Sequence, residues 1–211
     1  MSIDDYNREL RRQFIFGLGA VTTMASLPLI AVTQSKTTEV PYLGPSKIPN
    51  VSLLTHEGKE IKFYDDMVKD KILVMNMMYV DCLNSCPLAT SNLLQVQRLV
   101  SKRMQDAPVQ MCSLTINPEQ DTVSHLSHYV KQHNIPSGWA FMTGEPELVK
   151  LVRYRLGFYN PDPAIDGVVA THTGMLRIGN DKISRWGMMP TQAKPDQIVK
   201  MIEHVARWPT V

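Results

Sequence analysis

The sequence has 211 residues, a formal net charge of +2 and three cysteines. This length suits one domain with a proper hydrophobic core behind an N-terminal targeting segment. Its basic residues are scattered, with no Lys/Arg run and no interleaved aromatic residues, so nothing indicates nucleic-acid binding. The cysteine count is odd, and only two of the cysteines lie close together, which is not the pattern of a disulfide framework.

The N-terminal segment is typical of an export signal. Arg11 and Arg12 precede a modestly apolar stretch, and this resembles a twin-arginine (Tat) signal over residues 1–32. The alternative is an uncleaved membrane anchor, with the arginines on the cytoplasmic side. Residues 33–50, rich in Thr, Ser, Lys and Pro, are predicted to be a linker. We therefore expect the domain formed by residues 51–211 to be exported, in the periplasm or at the outer face of the cytoplasmic membrane.

The pattern of apolar residues along this domain predicts alternating strands and helices. The predicted elements, in chain order, are a hairpin over Asn50–Lys62, a helical turn over Phe63–Val68, a strand over Ile72–Val80, a helix over Leu88–Met104, a strand over Val109–Ile116, a helix over Val123–His133, a strand over Trp139–Met142, a helix over Glu145–Leu156, strands over Val168–Ala170, Met175–Ile178 and Ile183–Trp186, and a helix over Pro195–Arg207. This order indicates an α/β fold, with helices flanking a mixed sheet.

The strongest functional signal is a close pair of cysteines, Cys82 and Cys86. The apolar run before them predicts a strand buried on both faces. Pro87 follows them, and proline is favoured at the first position of a helix. We therefore expect both cysteines in a loop between a strand and a helix N-terminus, whose partial positive charge favours thiolate over thiol. Such a pair can chelate one metal ion or close a disulfide, so metal loading would require the reduced state. A purely structural disulfide is the alternative.

The other polar residues near this pair are expected to have simpler roles. Cys112 lies within a predicted strand and is expected to be a small buried hydrophobe. Asp81 could tune the thiols or contact a partner, but it could equally be a plain turn residue. Asp121 or Thr122 can cap the helix that follows, and a helix cap is the simplest role for Asp121.

Histidines and methionines offer further metal ligands, although structural roles are the simpler interpretation. The three histidines of one predicted helix are expected on its solvated face: His125, His128 and His133. Three methionines of the central strand are expected in the core: Met75, Met77 and Met78. Met188 and Met189 are predicted in a loop after Gly187, where an exposed thioether could bind Cu(I) transiently.

Several spaced motifs together resemble the Sco/SenC family. They are C-x-x-x-C-P after an apolar strand, S-x-x-x-x-P-E-x-D-T over Ser113–Thr122, W-x-x-x-T-G over Trp139–Gly144, T-H-T before a late strand, and P-x-x-I over Pro195–Ile198. The likeness extends over Val51–Val205, almost the whole predicted domain. It implies a thioredoxin-like fold with an inserted hairpin. Two departures from the family pattern are Leu83, in place of a proline, and Asn117, in place of an aspartate.

The resemblance also implies a metal site and a function. Its metal ligands correspond to Cys82, Cys86 and His172, which would bind copper as Cu(I) or Cu(II). Two soft thiolates and one imidazole suit copper, whereas a structural zinc site normally has four protein ligands. The implied function is a copper metallochaperone that assists assembly of the copper centre of cytochrome c oxidase. Its partners would be the copper-centre subunit of a terminal oxidase or a similar copper enzyme, and an upstream copper donor or thiol reductant.

The main alternative is an exported thiol–disulfide oxidoreductase that uses Cys82 and Cys86 on an apo-oxidase or another exported protein. The spacing favours the chaperone, because thioredoxins use C-x-x-C. His172 also stands where thioredoxins keep a cis-proline, and residues 168–176 contain no proline. A peroxidase ranks last, because no P-x-x-x-T pattern leads to Cys82. A redox or copper sensor remains open.

Overall fold

The computed structural model describes residues 47–82, 85–166, 168 and 174–206. The predicted signal over residues 1–32 and most of the predicted linker lie outside these ranges. So do Leu83, His172, Arg207 and the end of the strand predicted over Val168–Ala170. None of the helices in the described ranges is long and apolar enough to span a membrane.

The described residues form one mixed sheet of seven strands. The strands are β1 (Ser52–Thr55), β2 (Glu60–Lys62), β3 (Ile72–Met78), β4 (Val109–Thr115), β5 (Trp139–Thr143), β6 (Met175–Asn180) and β7 (Arg185–Pro190). Their order across the sheet is β2-β1-β5-β4-β3-β6-β7. Strands β3, β4 and β5 are parallel, and the other pairings are antiparallel. The predicted α/β fold with a mixed sheet is therefore confirmed.

Helices cover both faces of the sheet. They are α1 (Ser85–Arg103), α2 (Val123–Gln132), α3 (Pro146–Arg155), the short α4 (Pro163–Asp166) and α5 (Pro195–Ala206), besides a π-helical turn over Phe63–Val68. Helices α1, α2 and α5 pack on one face, while α3 and the π-helical turn pack on the other.

Strand β3 is the centre of the core. All seven of its residues are buried, as its continuous apolar run predicted. Because side chains alternate along a strand, Val74 and Met78 face the layer of α1, whereas Met75 and Met77 face the layer of α3. The expectation that the methionines of this strand are core residues is confirmed.

The turn of the first hairpin lies where the sequence predicted it, whereas the turn of the last hairpin lies further along the chain. Gly58 adopts φ +79° in the β1–β2 turn, a conformation that glycine adopts without steric cost. In the last hairpin, Asp181–Ile183 form a 3-10 turn and β7 begins only at Arg185. Ser184 takes up the left-handed conformation that ends this turn. The predicted strand over Ile183–Trp186 was therefore placed too early.

That shift corrects the assignment of two methionines. Met188 and Met189 lie within β7 rather than in a loop. Both are partly buried and pack against opposite core layers. Their thioethers pack against the core in this structure, and the predicted loop position of the two methionines was wrong.

Candidate functional site

The cysteine pair lies at the carboxyl end of β3, where the chain turns into α1. Cys82 is 5% exposed and Cys86 is 2% exposed, and both are thiols rather than disulfides in this structure. The prediction placed both cysteines in a loop, which is wrong for Cys86, because α1 begins at Ser85. Pro87 does not delay the helix, since a proline in the first turn lacks only an N–H that would have no helical acceptor.

The N-terminus of α1 contacts the sulfur of Cys82. The backbone N–H of Cys86 donates a hydrogen bond to Sγ of Cys82 over 3.3 Å. The turn before it is closed by the N–H of Cys82, which donates to the carbonyl of Tyr79 over 3.4 Å. A helix N-terminus carries a partial positive charge, so this contact favours a thiolate at Cys82.

Two tyrosines lie close to the pair. The hydroxyl of Tyr79 is hydrogen-bonded to Cys82, and this bond, with burial and the charges of Cys82 and Cys86, raises the pKa of Tyr79 to about 12. Tyr129 is 3% exposed, and its hydroxyl lies 2.7 Å from Oγ1 of Thr90. Burial, reinforced by the charges of the two cysteines, raises the pKa of Tyr129 to about 12. Both phenols therefore stay protonated at neutral pH and can donate hydrogen bonds.

The two tyrosines and Thr90 were missed from the sequence. For Thr90 a signal was present, because it follows Cys86 by four residues and so lies on the same face of α1. Tyr129 comes from α2, and only the packing of α2 beside α1 reveals it. Its ring lies 4.3 Å from that of His133 and 5.7 Å from that of Phe141, measured between centroids.

Asp121 has a role that differs from the predicted one. Thr122 caps α2, where its side chain accepts a hydrogen bond from the N–H of His125 over 3.4 Å. The carboxylate of Asp121 is buried and instead accepts from the N–H of Val80, at 3.3 Å to Oδ1 and 3.2 Å to Oδ2. It also accepts a hydrogen bond from the hydroxyl of Thr115. Burial raises the pKa of Asp121, and these hydrogen bonds oppose the rise.

The helix histidines do not converge on the cysteines as a ligand set. His128 is exposed, and His125 is exposed with Nδ1 2.7 Å from the carbonyl of Gln120. Partial burial against Tyr129 lowers the pKa of His133. Asp81 is exposed, whereas Cys112 is buried in β4, where desolvation raises the pKa of its thiol. The expectation for Cys112 as a small buried hydrophobe is confirmed.

His172 lies outside the described residues, but the chain that follows it is well anchored. The carbonyl of Gly174 accepts from the N–H of Thr191 over 2.9 Å and from its hydroxyl over 3.2 Å. Asn92 of α1 in turn donates to the carbonyl of Thr191 over 2.7 Å. Across the sheet, Leu176 of β6 is opposite Asn76 of β3, so Gly174 lies toward the end of the sheet from which Cys82 emerges.

The cysteine pair can bind a soft metal ion, but it does not complete a site within the described ranges. There, no three His, Cys, Asp or Glu side chains are grouped so that they could hold a metal ion. Two thiols at a helix N-terminus suit Cu(I) or Zn(II), and a third ligand would have to come from another segment or from a partner. The same pair can also exchange with a disulfide.

Fold and site together define a thioredoxin-like protein with a C-x-x-x-C dithiol at the start of its first long helix. Solved structures with this fold include a SCO1/SenC family lipoprotein from Bacillus anthracis str. Ames, 19% identical, with a TM-score of 0.62 over 74% of this chain and 93% of that one. Yeast Sco1 with copper bound is 16% identical, with a TM-score of 0.61 over 79% of this chain and 97% of its own. BsSco, a member of the Sco family of cytochrome c oxidase assembly proteins with a disulfide switch, is 15% identical, with a TM-score of 0.60 over 75% and 92% of the two chains.

Family membership is decided by the sequence rather than by these distant likenesses. The SCO1/SenC family model matches residues 45–207, which is most of the chain. The protein therefore belongs to the SCO1/SenC family. A search of curated proteins gave no match.

Proposed function

We propose that the protein is a copper metallochaperone that carries copper to the copper centre of a respiratory oxidase. The observation that carries this proposal is the cysteine pair at the N-terminus of α1, with Sγ of Cys82 already accepting an N–H. Because that contact favours the thiolate, the site is prepared for a soft ion such as Cu(I).

Relatives of the same family support copper as the cargo. The yeast and Arabidopsis thaliana proteins have been solved with copper bound. In this chain, Cys82 and Cys86 would supply two sulfur ligands and His172 the third ligand. His172 precedes Gly174 by two residues, which can span at most about 7 Å of chain. The anchored position of Gly174 toward the carboxyl end of β3 supports this ligand set.

The proposed site would load copper only in its reduced form. Metal binding needs two thiolates, and a disulfide between Cys82 and Cys86 would remove both ligands. An upstream thiol reductant is therefore a natural partner, beside an upstream copper donor and the copper-centre subunit that receives the metal.

We further propose that the folded domain, residues 51–211, works outside the cytoplasm after export through the Tat-type signal, in the periplasm or anchored at the outer face of the membrane. A lipoprotein among its structural relatives supports this location.

The first experiment is a copper titration of the reduced protein, followed by optical and EPR spectra. We expect one copper per chain, with a thiolate-to-Cu(II) charge-transfer band that is weakened or lost in His172→Ala. The double variant Cys82→Ser/Cys86→Ser should bind no copper. Cys112→Ala is the matched control, because it removes a cysteine that is buried in β4, and it should bind as the wild type does. Stoichiometric copper in the double-serine variant would refute the proposal.

A thiol–disulfide oxidoreductase is the second candidate. The 3.3 Å contact between the N–H of Cys86 and Sγ of Cys82 favours it, because a stabilised thiolate is also the attacking group in disulfide exchange. Failure to bind copper, combined with rapid reduction of a disulfide-bonded test substrate, would select this function. In that case His172→Ala should leave the reduction rate unchanged.

A further inference from the structure

We infer that Asp121 is a positioning residue, which holds the turn before Cys82 so that its sulfur stays against the N-terminus of α1. This inference deepens the proposed function, since it concerns the same cysteine pair. Asp121 does not contact the metal or a substrate in this assignment. It acts through the backbone of Val80, two residues before Cys82.

The carboxylate of Asp121 joins the turn after β3 to the end of β4. It is 2% exposed, and both of its oxygens lie within 3.3 Å of the Val80 N–H. Oδ2 also accepts from Thr115 at the end of β4. The backbone of Asp121 is itself held in place, because its N–H donates to the carbonyl of Asn117 over 2.9 Å. A fixed acceptor therefore faces the turn that leads from β3 to the cysteines.

The N–H of Val80 in this turn needs a hydrogen-bond acceptor, and Asp121 supplies it. β3 ends at Met78, so Val80 lies beyond the strand, in a partly buried turn. A buried N–H without an acceptor is costly, so removing the carboxylate should let the turn move toward another partner. Cys82 would move with the turn, whereas Cys86 is fixed in the first turn of α1.

The inference can be tested by the equilibrium between the cysteine pair and glutathione. In this reaction, Cys82 and Cys86 lose two protons and two electrons as their disulfide forms, and one oxidised glutathione becomes two reduced glutathiones. The equilibrium constant compares the disulfide with the dithiol, the form in which Sγ of Cys82 accepts the N–H of Cys86 and its thiolate is stabilised. A change of fold stability that affects both forms equally does not change this constant. The full-length chain is used, and the disulfide is mapped by mass spectrometry.

We expect Asp121→Ala to raise this equilibrium constant by about tenfold toward the disulfide, because the dithiol loses a contact that one hydrogen bond to a charged group holds in place. Asp121→Asn should stay within about threefold of the wild type, because its amide oxygen can accept from Val80 and its amide nitrogen can donate to Thr115. Ile61→Ala is the control, since it opens the buried side of β2 at the far edge of the sheet and should leave the constant unchanged.

Three results would overturn the inference. They are a wild-type constant in Asp121→Ala, an equal rise in Ile61→Ala, and an equal rise in Asp121→Asn, which would assign the effect to charge. If Asp121→Ala does not fold, Thr115→Val replaces it, because valine keeps the shape and removes one donor to the carboxylate. The constant should then rise by about threefold, and no change would overturn the inference.

The glutathione measurement contains no copper, so it separates this inference from the proposed function. A wild-type protein that binds one copper, together with an unchanged constant in Asp121→Ala, would remove only the positioning role. A wild-type protein that binds no copper, together with a tenfold rise of the constant in Asp121→Ala, would remove only the metallochaperone.

Discussion

The hydroxyl of Tyr129 is buried between α1 and α2, where its hydrogen-bond partner is Thr90 of α1. Thr90→Val removes the group that lies 2.7 Å from this hydroxyl and leaves a buried phenol to find another acceptor or donor. We expect the free energy of unfolding to fall by about 1–3 kcal/mol. Urea denaturation measures this loss. The double variant Thr90→Val/Tyr129→Phe should lose less than the sum of the two single variants, and additive losses would contradict the pairing.

A second residue-scale prediction concerns the ion pair between Arg153 and Asp166. The two side chains form paired contacts of 2.9 and 2.8 Å, and Tyr154 also donates to the carboxylate over 2.7 Å. Burial opposes the charge of Asp166, but the hydrogen bonds from Arg153, Tyr154 and the N–H of Asn160, and the charge of Arg153, lower its pKa to about 2.

A pKa that is lower in the folded state means that this pair stabilises the fold above about pH 4 and loses that contribution as the pH falls toward 2. The wild type should therefore be more stable than Asp166→Asn near neutral pH. Between pH 6 and pH 3, the difference between their free energies of unfolding should narrow by about 1 kcal/mol. Denaturant unfolding at both pH values measures it, and a constant difference would show that Asp166 is not held in its charged form.

The contrast between Cys82 and Asp121 shows what the residue pattern could and could not predict. The cysteines were found because a thiol pair directly before a helix is a strong local signal for metal or redox chemistry. The role of Asp121 was missed, because an aspartate before a helix is usually a cap and its real acceptor contact, to Val80, is 41 residues away. Tyr129 was missed for the same reason, since Thr90 lies 39 residues before it.

At the scale of elements, the packing of the β6–β7 hairpin requires a glycine at position 179. Gly179 of β6 is opposite Trp186 of β7, and an added Cβ would lie 1.9 Å from Cε3 of the indole. Gly179→Ala should therefore displace the Trp186 ring, which also lies under the guanidinium of Arg177 at 5.4 Å. The expected loss is about 1–3 kcal/mol of unfolding free energy, measured by urea denaturation.

Gly174→Ala is the matched control for this prediction. A Cβ at Gly174 would meet nothing within 4 Å, and its φ is not in the left-handed region. The variant should be as stable as the wild type. Equal destabilisation by both alanines would mean that chain flexibility, rather than the indole, is responsible.

Sequence periodicity predicted the interior elements better than the ends of the fold. The start of β3 was predicted to the residue and its end two residues late, and α5 starts at the predicted residue, because a fully buried strand and a strongly amphipathic helix leave clear patterns. The start of α1 was placed three residues late, because Ser85, Cys86 and Pro87 precede its apolar stripe. β7 was misplaced, because its residues are all partly exposed and show no alternation. The short α4 carries too few residues for a periodic signal.

For the whole molecule, the proposed copper site links metal binding to stability. A ligand that binds only the folded state raises the free energy of unfolding, by about 2.7 kcal/mol at a hundred times the dissociation constant. Cu(I) in that excess should therefore raise the thermal midpoint of the reduced wild type. Cys82→Ser/Cys86→Ser should show no rise, and differential scanning calorimetry with and without Cu(I) measures both. An equal rise in the two proteins would place the copper elsewhere.

The register of the sheet also sets the order in which the protein can fold. Ile72 at the start of β3 pairs with Val109 on one side. Its partner on the other side, Asn180, follows it by 108 residues, a separation that makes this pairing slow to form. During synthesis from the N-terminus, both cysteines therefore leave the ribosome well before β6, the strand that pairs with β3 on that side. Leu176 and Ile178 of β6 belong to the same buried cluster as the two cysteines, so this cluster is incomplete until β6 docks. We therefore expect the thiols to be easier to cross-link in that interval than in the folded protein.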